Sequence, residues 1–166
     1  MEVPSVIPPS LSTAATGSAS NSPAVGADVQ QAAAIPYRLD PDGNLWVMLI
    51  TNHRGEWIVP KGMIDANRTA EQTALNESLE EAGITGTLDA ERLGTFRYTK
   101  YGVSLNVAVL GMRVERVLVR WLEQADRERE WFGYTEAMER LTRPDLRRLL
   151  RVLHDRVTGK PKATAA

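Results

Sequence analysis

The feature that most restricts this chain is a run of three carboxylates, Glu77, Glu80 and Glu81, just ahead of Gly83. They follow an apolar stretch, Trp57-Ile58-Val59-Pro60, and the pair Lys61-Gly62. The pattern predicts a short strand, a glycine turn and a helix carrying acids near its C-terminal end. Thr69 and Gln72 form a capping-box pair, which places the helix start at Ala70. Gly83 suits the left-handed residue that ends it. Leu75, Leu79 and Ala82, spaced four and three apart, are expected to form the core-facing stripe. Glu77 and Glu81 then stack on another face, with Glu80 beside them. Like charges four apart repel, and a helix C-terminus is already negative, so this cluster calls for a cation. Hard carboxylate oxygens on adjacent turns suit Mg²⁺, with Mn²⁺ able to substitute. A solvated acidic face is the plainer reading, but it gives the strand and Gly62 no part.

The spacing resembles the signature of the Nudix hydrolases: Gly, five residues, Glu, seven residues, Arg-Glu, an aliphatic residue, any residue, Glu-Glu, any residue, Gly, aliphatic. Gly62, Glu77, Glu80, Glu81, Gly83 and Ile84 fall on their positions in register. Three positions depart: Arg68 stands for the first Glu, Asn76 for the Arg, and Ser78 for the aliphatic residue. In the family the first Glu and the Arg pair with each other and brace the loop against the helix. Both partners are replaced here, and losing both members of a partly buried pair can be nearly neutral where losing one is costly. Arg68 could instead pair with an acid such as Glu71. The resemblance extends over roughly residues 30–153.

Its implications for the site are specific. The i,i+4 spacing lets Glu77 and Glu81 converge on one ion, and the resemblance adds the Gly62 carbonyl as a third ligand. Glu80 remains as the candidate general base for an attacking water, an assignment drawn partly from the family. The fold implied is α+β, a Nudix α/β/α sandwich around a mixed β-sheet. The activity implied is Mg²⁺-dependent cleavage of a phosphoanhydride bond by water attack at phosphorus.

Beyond the signature, three segments look like the diphosphoinositol polyphosphate and diadenosine polyphosphate hydrolases of that family. These are Trp57-Ile58-Val59-Pro60, the Glu80-Glu81-Ala82-Gly83 run with Thr85-Gly86-Thr87-Leu88, and Arg129-Glu130-Trp131-Phe132. Such substrates are densely anionic, so cations should gather near the site. Arg54, Lys61, Arg97, Lys100 and Arg129 are the candidates, although each alone reads as a surface cation. Members of the inositol subgroup carry basic residues at the start of the first strand, where this chain has Val29, Gln30 and Gln31. A linear dinucleoside polyphosphate or a nucleoside diphosphate derivative therefore stays open, with Tyr98 or Tyr101 available to stack on a base.

The chain of 166 residues is long enough for one domain with a proper core. Its net charge of −1 argues against general binding to nucleic acid or to a membrane surface. It has no cysteine, which excludes a disulfide framework and fits a reducing compartment, so a cytoplasmic location is expected. No apolar run approaches membrane-spanning length, and the N-terminus lacks the pattern of a secretory signal. The expected partner is a small phosphorylated molecule.

Three parts are expected. Residues 1–28, rich in Ser, Ala, Pro, Thr and Gly, read as a disordered arm. Residues 29–157 form the domain, and 158–166 a loose tail. Within the domain, strands are expected over Gln30 to Leu39 and Leu45 to Thr51, joined by the turn Asp40-Pro41-Asp42-Gly43-Asn44. Further strands are expected at Trp57 to Val59, Gly86 to Tyr98, Val103 to Val114 and Glu130 to Phe132. Two helices follow, over about Thr135 to Leu141 and from Pro144. The second carries a core stripe of Leu146, Leu149, Leu150, Leu153 and Val157. Its arginines Arg147, Arg148, Arg151 and Arg156 read as a solvated face. His53 and His154 lack ligand neighbours, Ser78 and Ser104 lack a His-Asp pattern, and Trp46, Trp57, Trp121 and Trp131 are core candidates. Set against the hydrolase is a catalytically silent Nudix module that binds a nucleotide or a protein partner.

Overall fold

The computed structural model describes residues 29–159. The expected arm, and the tail beyond Gly159, lie outside the described residues. The elements run β1 (Gln31–Leu39), β2 (Leu45–Thr51), β3 (Trp57–Ile58), β4 (Lys61–Met63), α1 (Ala70–Ala82), β5 (Ile84–Leu88), β6 (Gly94–Lys100), β7 (Val103–Val117), β8 (Arg129–Gly133), α2 (Tyr134–Arg140) and α3 (Pro144–Thr158). The strands make one mixed sheet of eight, ordered β3-β2-β1-β7-β5 along its main path. In addition, β4 pairs with β1, β6 with β7 and β8 with β2. The β1–β7 pairing is parallel, and the remaining pairings are antiparallel.

Alternation along the strands sorts the core onto two faces. Ala33, Ile35 and Tyr37 of β1, with Val47, Leu49, Val107 and Val109, pack against Leu146, Leu149, Leu150 and Leu153 of α3. Ala32 and Ala34, with Met48, Ile50, Ala108, Leu110 and Met112, pack against Ala70, Ala74 and Ala82 of α1. The result is the expected α+β sandwich, with α1 on one face of the sheet and α2 and α3 on the other.

The expected boundaries of β2 and the start of α1 coincide with those observed, and Asp40 organises the β1–β2 turn through its carboxylate. The expected strand from Gly86 to Tyr98 is two strands, β5 and β6, separated by residues 89–93. Thr158 completes α3 and Gly159 caps it.

The α1 interface corrects the expected stripe. Ala82 is buried as expected, but Leu75 and Leu79 are 38% and 40% exposed, and Ala70, Thr73, Ala74 and Ser78 are buried instead. Small residues on the helix meet the alanines of β1 and β7, which lets the helix lie close to the sheet. Ser78, the departure from an aliphatic residue, is fully buried and donates its Oγ hydrogen to the Ala74 carbonyl at 2.8 Å.

The α3 arginines are not simply solvated. Arg147 donates to the Leu141 carbonyl, Arg148 to that of Thr95, and Arg156 to those of Glu91 and Arg92. They tie α3 to the end of α2, to β6 and to the loop before β6. The four tryptophans are half-buried, and Trp57 and Trp131 pack against the two core clusters. His53 is exposed, while His154 stacks on Tyr134 at a ring separation of 4.1 Å.

Candidate active site

The site begins where β4 passes under α1. Sequence suggests a glycine turn, but Lys61-Gly62-Met63 is a strand paired with β1, and Gly62 faces Ala32 across the ladder. Alternation between the flanking Ala34–Pro60 and Ile64–Gln30 bonds makes Ala32 and Gly62 the hydrogen-bonded pair. A carbonyl there keeps a second lone pair for a ligand. Gly62 is required by proximity, because a Cβ at this position would overlap the side chain of Glu77.

The helix is fixed at both ends. Thr69 and Gln72 close the capping box, with bonds of 3.1 and 2.9 Å, and Gly83 is left-handed at φ 64°. Its last turn carries no basic residue of its own. Arg129 supplies that cation from β8, donating to the carbonyls of Ala82, Gly83 and Leu118 and lying 3.7 Å from the Trp121 ring centroid. The structure therefore places Arg129 at the helix end, with its donors committed to main-chain oxygens.

Glu81 is 6% exposed, and its Oε2 is buried with no hydrogen-bond partner. Burial first, and then proximity to Glu77 and Glu123, push its pKa up to about 8 against the attraction of Arg127. Burial also raises Glu77, with Glu80 and Glu123 adding to the effect. The Glu77 and Glu81 side chains lie within hydrogen-bonding reach of each other, so without a cation the pair retains a proton. Glu80 is half-buried beside them, and its main-chain carbonyl accepts the Glu123 N–H at 3.1 Å. Among the described residues, no group of three His, Asp or Glu side chains is arranged to hold a metal ion as it stands. The donor set nevertheless fits one: an unpartnered buried carboxylate oxygen, a second carboxylate beside it and a strand carbonyl are hard oxygens suited to Mg²⁺ or Mn²⁺.

Two residues at this site carry no sequence signal. Arg127 lies 3.5 Å from Glu81 and 3.4 Å from Glu123, and donates to the Thr51 carbonyl at 2.9 Å. Glu123 reaches the acids only because the segment after β7 folds back on α1, through Leu118 N–H to Gly83 and Trp121 Nε1 to Glu81. Nothing local in the sequence reports that return.

The remaining predicted cations divide. Arg54 is exposed on the β2–β3 turn, a few residues beyond Thr51. Lys61 shares the sheet face of Ala33 by alternation, opposite the face where Gly62 meets Glu77. Its Nζ stands 5.0 Å from the Tyr98 ring, and Arg143 lies 5.6 Å from the same ring. Arg143 therefore joins the cation set from the α2–α3 connection, which sequence reasoning missed. Tyr98 itself donates to Gln31 at 2.7 Å. Arg97 is exposed and bonded to Asn106 across the β6–β7 pair, and Lys100 sits by the exposed ring of Tyr101 at the hairpin tip. Arg68 is exposed, and the suggested partner Glu71 is instead paired with Arg92 at 2.9 Å.

A mixed sheet between helices, with a half-buried glutamate against a strand glycine and a buried one beside it, defines the class. The NUDIX domain matches residues 29–153, and the chain belongs to that family. Nudix hydrolase 13, mitochondrial, of Arabidopsis thaliana is 30% identical over 127 residues, covering 63% of each chain. Nudix hydrolase 4 of the same plant is 32% identical over 96 residues, covering 56% of this chain and 46% of its own. The match thus spans about half to two thirds of the length of these relatives. Among solved structures, a C. elegans Ap4A hydrolase in a binary complex superposes with a TM-score of 0.66 at 23% identity. That superposition covers 80% of this chain and 99% of the other, and it supports the fold.

Proposed function

We propose that this chain is a Mg²⁺-dependent Nudix pyrophosphohydrolase acting on a densely anionic phosphoanhydride of the diphosphoinositol polyphosphate or diadenosine polyphosphate class. The observation that carries the reading is the buried, unpartnered Oε2 of Glu81 beside Glu77, where Gly62 admits the Glu77 side chain. Glu77, Glu81 and the Gly62 carbonyl would hold the ion, and Glu123 stands close enough to assist. When bound, a divalent ion neutralises phosphate charge and makes water a stronger nucleophile.

The chain's own residues supply the rest. Glu80 accepts the proton of the attacking water, and Lys61 with Arg143 binds phosphate oxygens along the edge beside Tyr98. Arg54, Arg97 and Lys100 extend this field across the loops around the site. Arg129 contributes indirectly, by fixing the helix end from which Glu80 and Glu81 project.

The Ap4A hydrolase fold match favours the diadenosine arm of the proposal. The alternative, a silent module that binds a nucleotide or a partner, draws support from Arg68 and Asn76, which replace the signature's brace. Release of phosphate or pyrophosphate from diphosphoinositol phosphates, diadenosine polyphosphates, nucleoside triphosphates and ADP-ribose, with Mg²⁺ and then Mn²⁺, tests both readings. Turnover lost on chelation, and reduced by orders of magnitude in Glu80→Gln or Glu77→Gln, supports the hydrolase. Silence from folded, metal-loaded protein supports the module.

No helix among the described residues is long and apolar enough to cross a membrane. We retain a cytoplasmic location as the proposal. Five relatives are named for mitochondria and one for chloroplasts, so fractionation has three outcomes to separate.

A further inference from the structure

Several arginines in this domain donate chiefly to main-chain carbonyls. Arg129 does so at the α1 terminus, and Arg147 and Arg156 do so along α3. Arg127 differs. Its side chain is 11% exposed, and only Nη1 goes to a carbonyl, that of Thr51. Its Nε faces Glu123 at 3.4 Å and its Nη2 faces Oε1 of Glu81 at 3.5 Å. One guanidinium thus connects the end of β2, the segment after β7 and the last turn of α1. It engages one oxygen of Glu81 and leaves the other, Oε2, buried and unpartnered.

The Nudix signature does not account for this contact. The brace that the signature would place between its first Glu and its Arg is absent, because those positions hold Arg68 and Asn76. Arg68 is exposed. Arg129 holds the main-chain carbonyls at the end of α1, and Arg127 is the cation that reaches the Glu81 carboxylate there. A planar guanidinium can serve three acceptors from one fixed fork, which an ammonium cannot do in the same geometry.

We propose that Arg127 is a positioning residue that takes over this bracing. It holds Glu81 through Oε1, and Glu123 beside it, so that Oε2 of Glu81 is presented with Glu77 to a single divalent cation. The inference rests on the metal-dependent reading above. Removing a group that orients a metal ligand typically weakens metal binding about 10–100-fold.

The test is Mn²⁺ binding by titration calorimetry on the full chain, without substrate, for the wild type, Arg127→Gln, Arg127→Lys and Glu81→Gln. Thermal melts confirm that each variant is folded. The wild type is expected to bind, and Glu81→Gln to lose binding. Arg127→Gln should weaken binding about tenfold or more, with Arg127→Lys between it and the wild type. If Arg127→Gln does not fold, Arg127→Lys carries the test, because it keeps the charge and removes only the fork. Wild-type affinity in the folded Arg127 variants, with binding lost in Glu81→Gln, would overturn the positioning role and leave the metal site standing. Absence of Mn²⁺ binding in the wild type, or wild-type binding in Glu81→Gln, would overturn the metal reading and this inference with it. Turnover at saturating Mn²⁺ adds a second readout. A positioning role predicts partial recovery of rate at high metal, whereas a direct substrate contact predicts a raised KM that metal does not correct.

Discussion

Gly62 and Glu77 occupy the same space in turn: the strand glycine has no side chain because the glutamate lies where a Cβ would be. The backbone of Gly62 is ordinary extended strand, so the requirement is for room. In Gly62→Ala the added methyl meets the flexible end of Glu77, which can swing aside at little cost to stability. The carboxylate then leaves its place beside Glu81. The expected outcome is a melting temperature near that of the wild type with turnover reduced about a hundredfold, as for other small displacements of reacting groups. Steady-state rates and a thermal melt on the same preparation check this. A rate near wild type would show that Glu77 need not occupy that position.

The elevated Glu81 makes a pH prediction whose sign is fixed. Its pKa is about 8 in the folded chain, and burial is the main cause. Between the ordinary carboxylate range and that value, the folded state keeps a proton that the unfolded state has released. Raising the pH through that window therefore lowers the stability of metal-free protein, and the loss levels off above about pH 8. Denaturant melts in chelator at about pH 5, 6.5 and 8 should show declining stability, with a weaker slope in Glu81→Gln. Glu77 shifts in the same direction and contributes to the residual slope. Adding Mn²⁺ at the upper pH should restore stability, because the ion replaces the proton.

The parts legible in the sequence were those written in local chemistry. Thr69, Gln72 and Gly83 announced the limits of α1, and the leucines of α3 announced its buried face. Glu77, Glu80, Glu81 and Gly62 were visible because their spacing is local and matched a family pattern. The buried face of α1 was misread because size, not hydropathy alone, chose it: Ala74, Ser78 and Ala82 fit close to the sheet, and Leu75 and Leu79 do not. Glu123 and Arg127 were invisible because they reach the acids only through the return of the segment after β7. The role of Arg129 was hidden similarly, since its acceptors, Ala82 and Gly83, lie over forty residues earlier in the chain.

Arg129 and Lys61 should separate stability from substrate binding. Arg129 donates to two carbonyls at the α1 terminus and to that of Leu118, and lies over Trp121. Replacement by Met keeps much of the stem and removes those donors, which should cost about 1–3 kcal/mol in a denaturant melt. Lys61→Ala, at a half-buried strand position with its amine near Tyr98, should change stability little and raise KM. A raised KM in Arg129→Met without loss of stability would return Arg129 to the substrate-binding set.

The paired departures Arg68 and Asn76 make a final prediction. Asn76 is half-buried on α1, Arg68 is exposed before it, and Glu71 is already engaged by Arg92. Asn76→Arg alone adds a cation whose signature partner position already holds the cation Arg68, so it should leave stability unchanged or lower it. Arg68→Glu alone adds an acid with no partner. Together the two substitutions restore a complementary pair of the kind the signature carries, so their effects should be coupled. The double variant is expected to exceed the sum of the single changes by about 0.5 kcal/mol or more in denaturant melts. Additive effects would mean that the loop and helix are no longer close enough to be braced there. In that case Arg127, engaged with both Glu81 and Glu123, would brace the carboxylates of α1, beside the main-chain hold of Arg129.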